Sequence, residues 1–226
     1  MKEHFGNGER RTPKFSVSCQ HYSFAVNAFV DLIKEYDADQ YSFVIRETQT
    51  GEIIEDVASG KSEIGVLYLS EHNEDVILKL IKNNQLKFEE MFVAEPHVFI
   101  CKDHPLAEKE MISMEDLRPY PYLVYEQGNN NSFYFAEEVL STYNYKQLIK
   151  ANDRATLLNL MVGLNGYTLC SGIICEELNG SDYCAVRLKS DEIMTIGYLS
   201  RKGAAISSLG QKYIEELSLY KDKALR

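Results

Sequence analysis

Residues 14–36 read KFSVSCQHYSFAVNAFVDLIKEY, and this stretch sets the architecture. Phe15 and Val17 alternate with serines as a short strand does, and Ser18 to His21 form a polar turn. From Tyr22 to Tyr36 the apolar residues Tyr22, Phe24, Val26, Phe29, Val30, Leu32, Ile33 and Tyr36 recur at helical spacing. Strand, polar turn and helix make the repeating unit of an α/β fold.

The unit continues downstream. Residues 41–47 (YSFVIRE) alternate as a second strand, and Thr48 to Gly51 supply turn and capping chemistry for a helix over 52–59 that Gly60 ends. Residues 64–68 (IGVLY) are a continuous apolar run, the mark of a strand buried on both faces. Residues 76–87 are compatible with a helix or a loop. A long β-rich stretch over 88–102 is broken by Pro96, which a strand tolerates only at an edge or bend, so the chain is expected to cross between lobes there.

A turn at 104–107 and a short helix at 114–117 follow, and then the first pattern returns. Strands are expected over 122–125, 147–150 and 166–170, with helices over 132–143, capped by Ser132, and 153–163. The matching positions are offset by about 103 to 107 residues, so β-α-β-α-β occurs twice. A last strand over 193–200, a turn at Gly203 and a helix over 207–220 return to the first lobe. The expected fold is α/β, two Rossmann-like lobes joined by two crossing strands: lobe I over 14–95 plus 198–226, lobe II over 96–197, and residues 1–13 as a tail or hinge remnant.

The 226 residues suffice for one such fold, and no stretch reaches the roughly 20 apolar residues of a membrane-spanning helix. Lys and Arg number 24 against 34 Asp and Glu, a net charge of −10, which repels a phosphate backbone. Five cysteines without a CxxC pair and an N-terminus without a signal-like apolar run point to a reducing cytoplasm.

Two lobes joined in this way leave a crevice at the carboxyl ends of their strands, where the polar turns lie. Each turn opens a helix, so unpaired N–H groups and the positive dipole end are expected to favour a small anion there. Ser18, Gln20, Thr48, Gln49, Gln127, Ser132 and Thr156 add neutral hydrogen-bonding groups. No acid–base constellation accompanies them, which favours binding over catalysis.

The order of motifs resembles the effector-binding domain of LysR-type transcriptional regulators from Lys14 onward. The residues that carry the resemblance are FSVSCQHYSFAVNAF (15–29), TGEIIEDVASGKSEIGVL (50–67), FICKDHPLA (99–107), MEDLRPYPYLVY (114–125) and ATLLNLMVGLNGYTL (155–169). The resemblance implies a periplasmic-binding-protein-like (type 2) fold and a domain that senses a small metabolite. DNA would be bound only through a helix-turn-helix part that lies outside this chain, and residues 1–13 would follow its linker. It also implies effector contacts at Ser18 and Gln20, with His21 adjacent, although the family more often has Ser or Thr where Gln20 stands. Thr48, Gln49, Gln127, Gly128 and Thr156 are further contacts by the same alignment.

Each sharper reading has an ordinary counterpart. His21 would make binding of an anion pH-dependent near its unperturbed pKa of about 6.5, or is a solvent-facing turn residue. Arg154 would supply a fixed charge to a carboxylate, or is a surface arginine. Cys101 and His104 are half a metal site with no second pair to complete it, so neither metal nor cofactor is expected. Cys170 and Cys175 would form a redox pair, or Cys170 is core. The helices over 22–36 and 132–143 are apolar around more of their circumference than one core requires, and the family resemblance implies a homodimer pairing one against the other. A solute-binding protein of a transporter and an enzyme on the same fold remain the alternatives.

Overall fold

The computed structural model describes residues 12–36, 40–130 and 132–224. The expected tail lies, through residue 11, outside them. Strand β1 (Lys14–Cys19) leads into α1 (Ser23–Glu35), β2 (Ser42–Glu47) into α2 (Thr50–Ser59), and β3 (Ile64–Leu69) into α3 (Glu74–Asn83) and β4 (Leu86–Ala94). After Pro96 come β5 (His97–Cys101), β6 (Met111–Ile112), α4 (Met114–Leu117), β7 (Tyr122–Tyr125), β8 (Leu148–Ala151), α5 (Arg154–Leu164), β9 (Thr168–Cys170), α6 (Glu176–Asn179) and β10 (Tyr183–Leu188). The chain closes with β11 (Met194–Arg201), α7 (Ser208–Ser218) and α8 (Lys221–Ala224).

Two sheets carry the two lobes. The first runs β2-β1-β3-β11-β4, parallel across β2, β1 and β3, with β11 antiparallel to β3 and β4. The second runs β6-β10-β5-β9, with β7 and β8 as a parallel pair beside it. The chain passes between the sheets twice, through Glu95-Pro96 and through residues 189–193. The first passage is tied to the end of β10 by Leu188 N–H donating to Pro96 O at 3.0 Å.

The apolar run of β3 is buried throughout because both faces are covered. Ile64, Val66 and Tyr68 join the core under α1 and α7, while Leu67 and Leu69 join the core under α2 and α3. Gly65 lets α2 lie close on the strand: a Cβ there would fall 2.8 Å from Ile53 Cγ2 and 2.9 Å from Val57 Cγ2. Gly60 ends α2 at φ 76°, the left-handed C-cap that glycine adopts at least cost.

The helix expected over 132–143 does not form. Ser132 does accept from Tyr134 N–H, at 3.5 Å, but one 3₁₀ turn over Phe133–Phe135 is all that follows. Ala136 is extended and Leu140 left-handed, at φ 57°. The cause is tertiary: a helix here would have turned Glu137 and Glu138 with its periodicity, whereas both are buried and hydrogen-bonded inward. The second lobe therefore lacks one helix of the expected duplicate, and no helix exists there to meet α1 of a second copy. On α1, the excess apolar arc is largely covered by the chain's own C-terminal helices. Tyr213 of α7 donates to Ala25 O at 3.0 Å, Asn27 donates to Tyr220 Oη at 2.6 Å, and α1 exposes no large apolar side chain.

Candidate functional site

Side chains alternate along β1, so Val17 and Cys19 enter the core while Ser18 points the other way. Its hydroxyl donates to Asp56 Oδ2 of α2 at 2.6 Å and lies 2.8 Å from Ser62 Oγ. Gln20 is fully buried, donating from Nε2 to Thr50 Oγ1 at 2.7 Å and accepting Tyr68 N–H at 3.1 Å. Both residues, expected to meet an effector, instead pin the β1–α1 turn to α2 and β3. Every polar atom Gln20 spends here is unavailable to a ligand.

The crevice itself is bridged. The N-terminus of α2 offers Thr50 N–H, which donates to Gln127 Oε1 of the second lobe at 3.0 Å. Gln127 Nε2 donates to Glu137 Oε1 at 3.0 Å, and Glu137 Oε2 accepts from His21 N–H and faces His21 Nδ1, both at 2.9 Å. The His21 ring lies flat on Tyr125, 3.7 Å between centroids and 5° between planes. Farther along, Arg154 donates through Nε (3.3 Å) and Nη2 to the Glu47 carboxylate at the end of β2. Gln49 sits against Gly128, whose φ is 54°, and a Cβ on that glycine would fall 2.6 Å from Gln49 Oε1.

These contacts engage donors that the sequence left free at the turns. At the α2 N-terminus Thr50 N–H is taken by a neutral amide oxygen from across the crevice, and at the α5 N-terminus Thr156 N–H is taken by the helix's own cap. Asp153 accepts from Thr156 N–H at 2.8 Å and Oγ1 at 2.6 Å. Thr48 donates to Glu52 in its own turn, and Ser132 is an exposed cap. The structure thus brings together His21, Gln49, Gln127, Gly128 and Arg154 between the lobes, and spends Ser18, Gln20, Thr48, Thr156 and Ser132 on local structure. Neither basic side chain is at liberty, since His21 faces Glu137 and Arg154 faces Glu47.

Replacing Gln127 by alanine would strand Thr50 N–H and Glu137 Oε1. A loss of about 1–3 kcal/mol for each stranded group is expected in urea denaturation, with the larger share at buried Glu137.

Beside the bridges lies a cavity of about 630 Å³, counting its open mouth. His21, Tyr22 and Ser23 form its first-lobe wall. Phe99, Leu157, Leu169, Ile173 and Ile174 make the second-lobe wall mostly apolar, and Glu137, Glu138, Arg154 and Thr168 break it. Glu138 is buried, and its Oε1 accepts Tyr125 N–H at 3.0 Å. Burial, with Glu137 beside it, holds this carboxyl well above the usual carboxylate range. Burial likewise pushes the Cys170 thiol on the same wall up to about 11, away from thiolate chemistry. His104 accepts Leu106 N–H at Nδ1 (3.1 Å), so Nε2 carries the proton and faces Asn165 O at 3.1 Å, leaving no lone pair for a metal beside Cys101. Among the described residues no group of three or more His, Cys, Asp or Glu could hold a metal ion.

Sequence reasoning missed Glu137, Glu138, Tyr22, Tyr125, Thr168 and Glu47. One signal was present: in FYFAEEVL (133–140) two adjacent acids sit among apolar residues with no polar face to occupy. Tyr125 and Thr168 carry no such mark, because each reads as one more strand residue.

The model of the LysR substrate binding domain matches residues 21–218. The chain belongs to that family. LysR substrate-binding domains are the effector-sensing parts of LysR-type transcriptional regulators, and the two-lobe fold is the one they share. The chain is similar in structure to HinK, a LysR family transcriptional regulator from Pseudomonas aeruginosa. The two are 12% identical with a TM-score of 0.62, over 93% of this chain and 71% of that one. It is also similar to the reduced OxyR regulatory domain from Pseudomonas aeruginosa (13% identity, TM-score 0.64, 92% and 98% covered). A third likeness is to the effector-binding domain of QuiR in complex with shikimate (15% identity, TM-score 0.60, 94% and 98% covered). No curated protein matches the sequence. Among the described residues of this LysR domain no helix is long and apolar enough to cross a membrane.

Proposed function

We propose that this LysR domain holds a small molecule in the cavity between its lobes and reports it through the polar bridges across the crevice. One observation carries this reading: the cavity takes its walls from both lobes, while Thr50–Gln127, His21–Glu137 and Glu47–Arg154 link the same two lobes beside it. A molecule that binds there changes the relative stability of bridged and unbridged arrangements, which is what a sensor requires. QuiR holds shikimate in the corresponding domain, which supports a small-molecule effector here without naming it. No turnover is expected, because the carboxyls of the crevice are engaged with Gln127, His21 and Tyr125 N–H. The bound state would act on DNA through a separate DNA-binding part, in the cytoplasm where DNA lies.

A thermal-melt screen of small metabolites tests this reading. A binder should raise the melting temperature with a logarithmic dependence on its concentration, and assay of any hit should show no product. If no compound class shifts the melt, the sensing role in this cavity is wrong. Arg154→Ala is expected to cost at most about 1 kcal/mol, because the pair is a quarter exposed to solvent. The same variant should enlarge the radius of gyration in solution scattering as the lobes part. Self-association would use α1, whose Val26, Val30 and Ile33 stay half-buried, against a surface other than residues 132–143. Sedimentation velocity reads that assembly.

A further inference from the structure

Four buried side-chain polar atoms lack a hydrogen-bond partner among the described residues: Tyr22 Oη, Glu138 Oε2, Thr168 Oγ1 and Ser200 Oγ. The first three belong to residues that line the same cavity between the lobes. A buried polar group left unpaired is costly, so three on residues around one space ask for an occupant that reaches them. Glu138 also borders a second cavity of about 550 Å³, but Tyr22 and Thr168 do not, so the first is the cavity that all three residues share.

Charge decides what kind of occupant fits. Carboxyl oxygens accept, and hydroxyls can do so as well. The basic side chains of the wall are already committed, Arg154 to Glu47 and His21 to Glu137, so a carboxylate ligand would meet two glutamates and no free basic group. An ammonium carries three N–H donors, and its charge would hold Glu138, uncharged in the empty cavity, as the carboxylate. The rest of the wall, with Phe99, Leu157, Leu169, Ile173 and Ile174, is apolar and suits a hydrocarbon body.

We propose that the cavity takes a small molecule bearing a protonated amine on an apolar body, the ammonium donating to Glu138 Oε2, Tyr22 Oη and Thr168 Oγ1. This rests on the reading of the cavity as an effector site and reverses the expectation of an anionic effector.

The test compares three probes of matched shape, 2-phenylethylamine, 3-phenylpropanoate and 2-phenylethanol, by thermal melt and calorimetric titration of the whole chain at neutral pH. The amine should raise the melting temperature, and the carboxylate should not. Amine affinity should fall at least tenfold in Glu138→Gln and more modestly in Tyr22→Phe and Thr168→Val, so a folding failure of any one variant leaves two that report. Amine binding that persists undiminished in the variants that fold, or a melt shifted by the carboxylate or the alcohol in place of the amine, overturns the proposal. In the carboxylate and alcohol cases the effector site stands. Silence from all three probes also overturns the amine assignment, and the metabolite screen above then decides separately whether the cavity is an effector site.

Discussion

Ile53→Ala is expected to cost about 2–5 kcal/mol and to loosen the crevice along with the fold. Ile53 is fully buried in the core formed by α2, α3, β3, β4 and β11, and it packs where α2 comes down on Gly65. Shortening it removes three methyl(ene) groups and leaves a cavity that two rigid elements cannot close. Because α2 aims Thr50 N–H at Gln127, a tilt of the helix would stretch that bridge as well. Urea denaturation should show the loss as a lower midpoint with an unchanged slope, and amide exchange at Thr50 should quicken more than exchange in β9.

Glu138→Gln should stabilise the protein, and by more as pH rises. The groups facing Glu138 are Glu137, Tyr22, Tyr68, Tyr122, Tyr125 and Tyr145, none of them cationic. Burial first, and Glu137 second, raise the folded pKa above the ordinary glutamate value of 4.5, while the backbone N–H groups of Tyr125, Glu138 and Glu137 pull the other way. The unfolded chain therefore releases this proton before the folded one does. The wild type has the full contribution below about pH 4.5 and loses it as pH climbs through the folded pKa. Glutamine mimics the protonated acid and has nothing to lose. The difference between variant and wild type should grow across that window at up to about 1.4 kcal/mol per pH unit and then level off. A difference that stays flat from pH 5 to 8 would falsify the buried, uncharged state of Glu138. Asp116, Asp153 and Glu89 are shifted down by their own hydrogen bonds, so their contributions fade only under acid and fall outside this window.

Local pattern and spacing sufficed for most of the framework. The alternation of Phe15 and Val17, the continuous run Ile64–Tyr68, the break at Pro96 and the stop at Gly60 are each settled within a few residues. The structure puts β1, β3, the passage between sheets and the end of α2 at these places. The same locality explains the one failed helix. Over 132–143 the apolar spacing is helical, yet a pattern cannot register that Glu137 has partners at positions 21 and 127 and Glu138 one at Tyr125 N. Those long-range bonds outweigh a propensity difference of a few tenths of a kcal/mol per residue.

The sequence by itself determined a two-lobed α/β chain with polar turns at the ends of its strands, because strand and helix periods and turn residues are local physics; the order of its motifs carried the resemblance to the LysR type. Only the tertiary structure decided which turn residues meet in the crevice. Ser18 and Gln20 face inward because strand side chains alternate and α2 supplies their partners. At the α2 N-terminus Thr50 N–H is taken by Gln127, and the unpaired acceptors belong to Glu138, Tyr22 and Thr168. Hydrogen-bond partners up to 193 residues apart are invisible until the chain has folded.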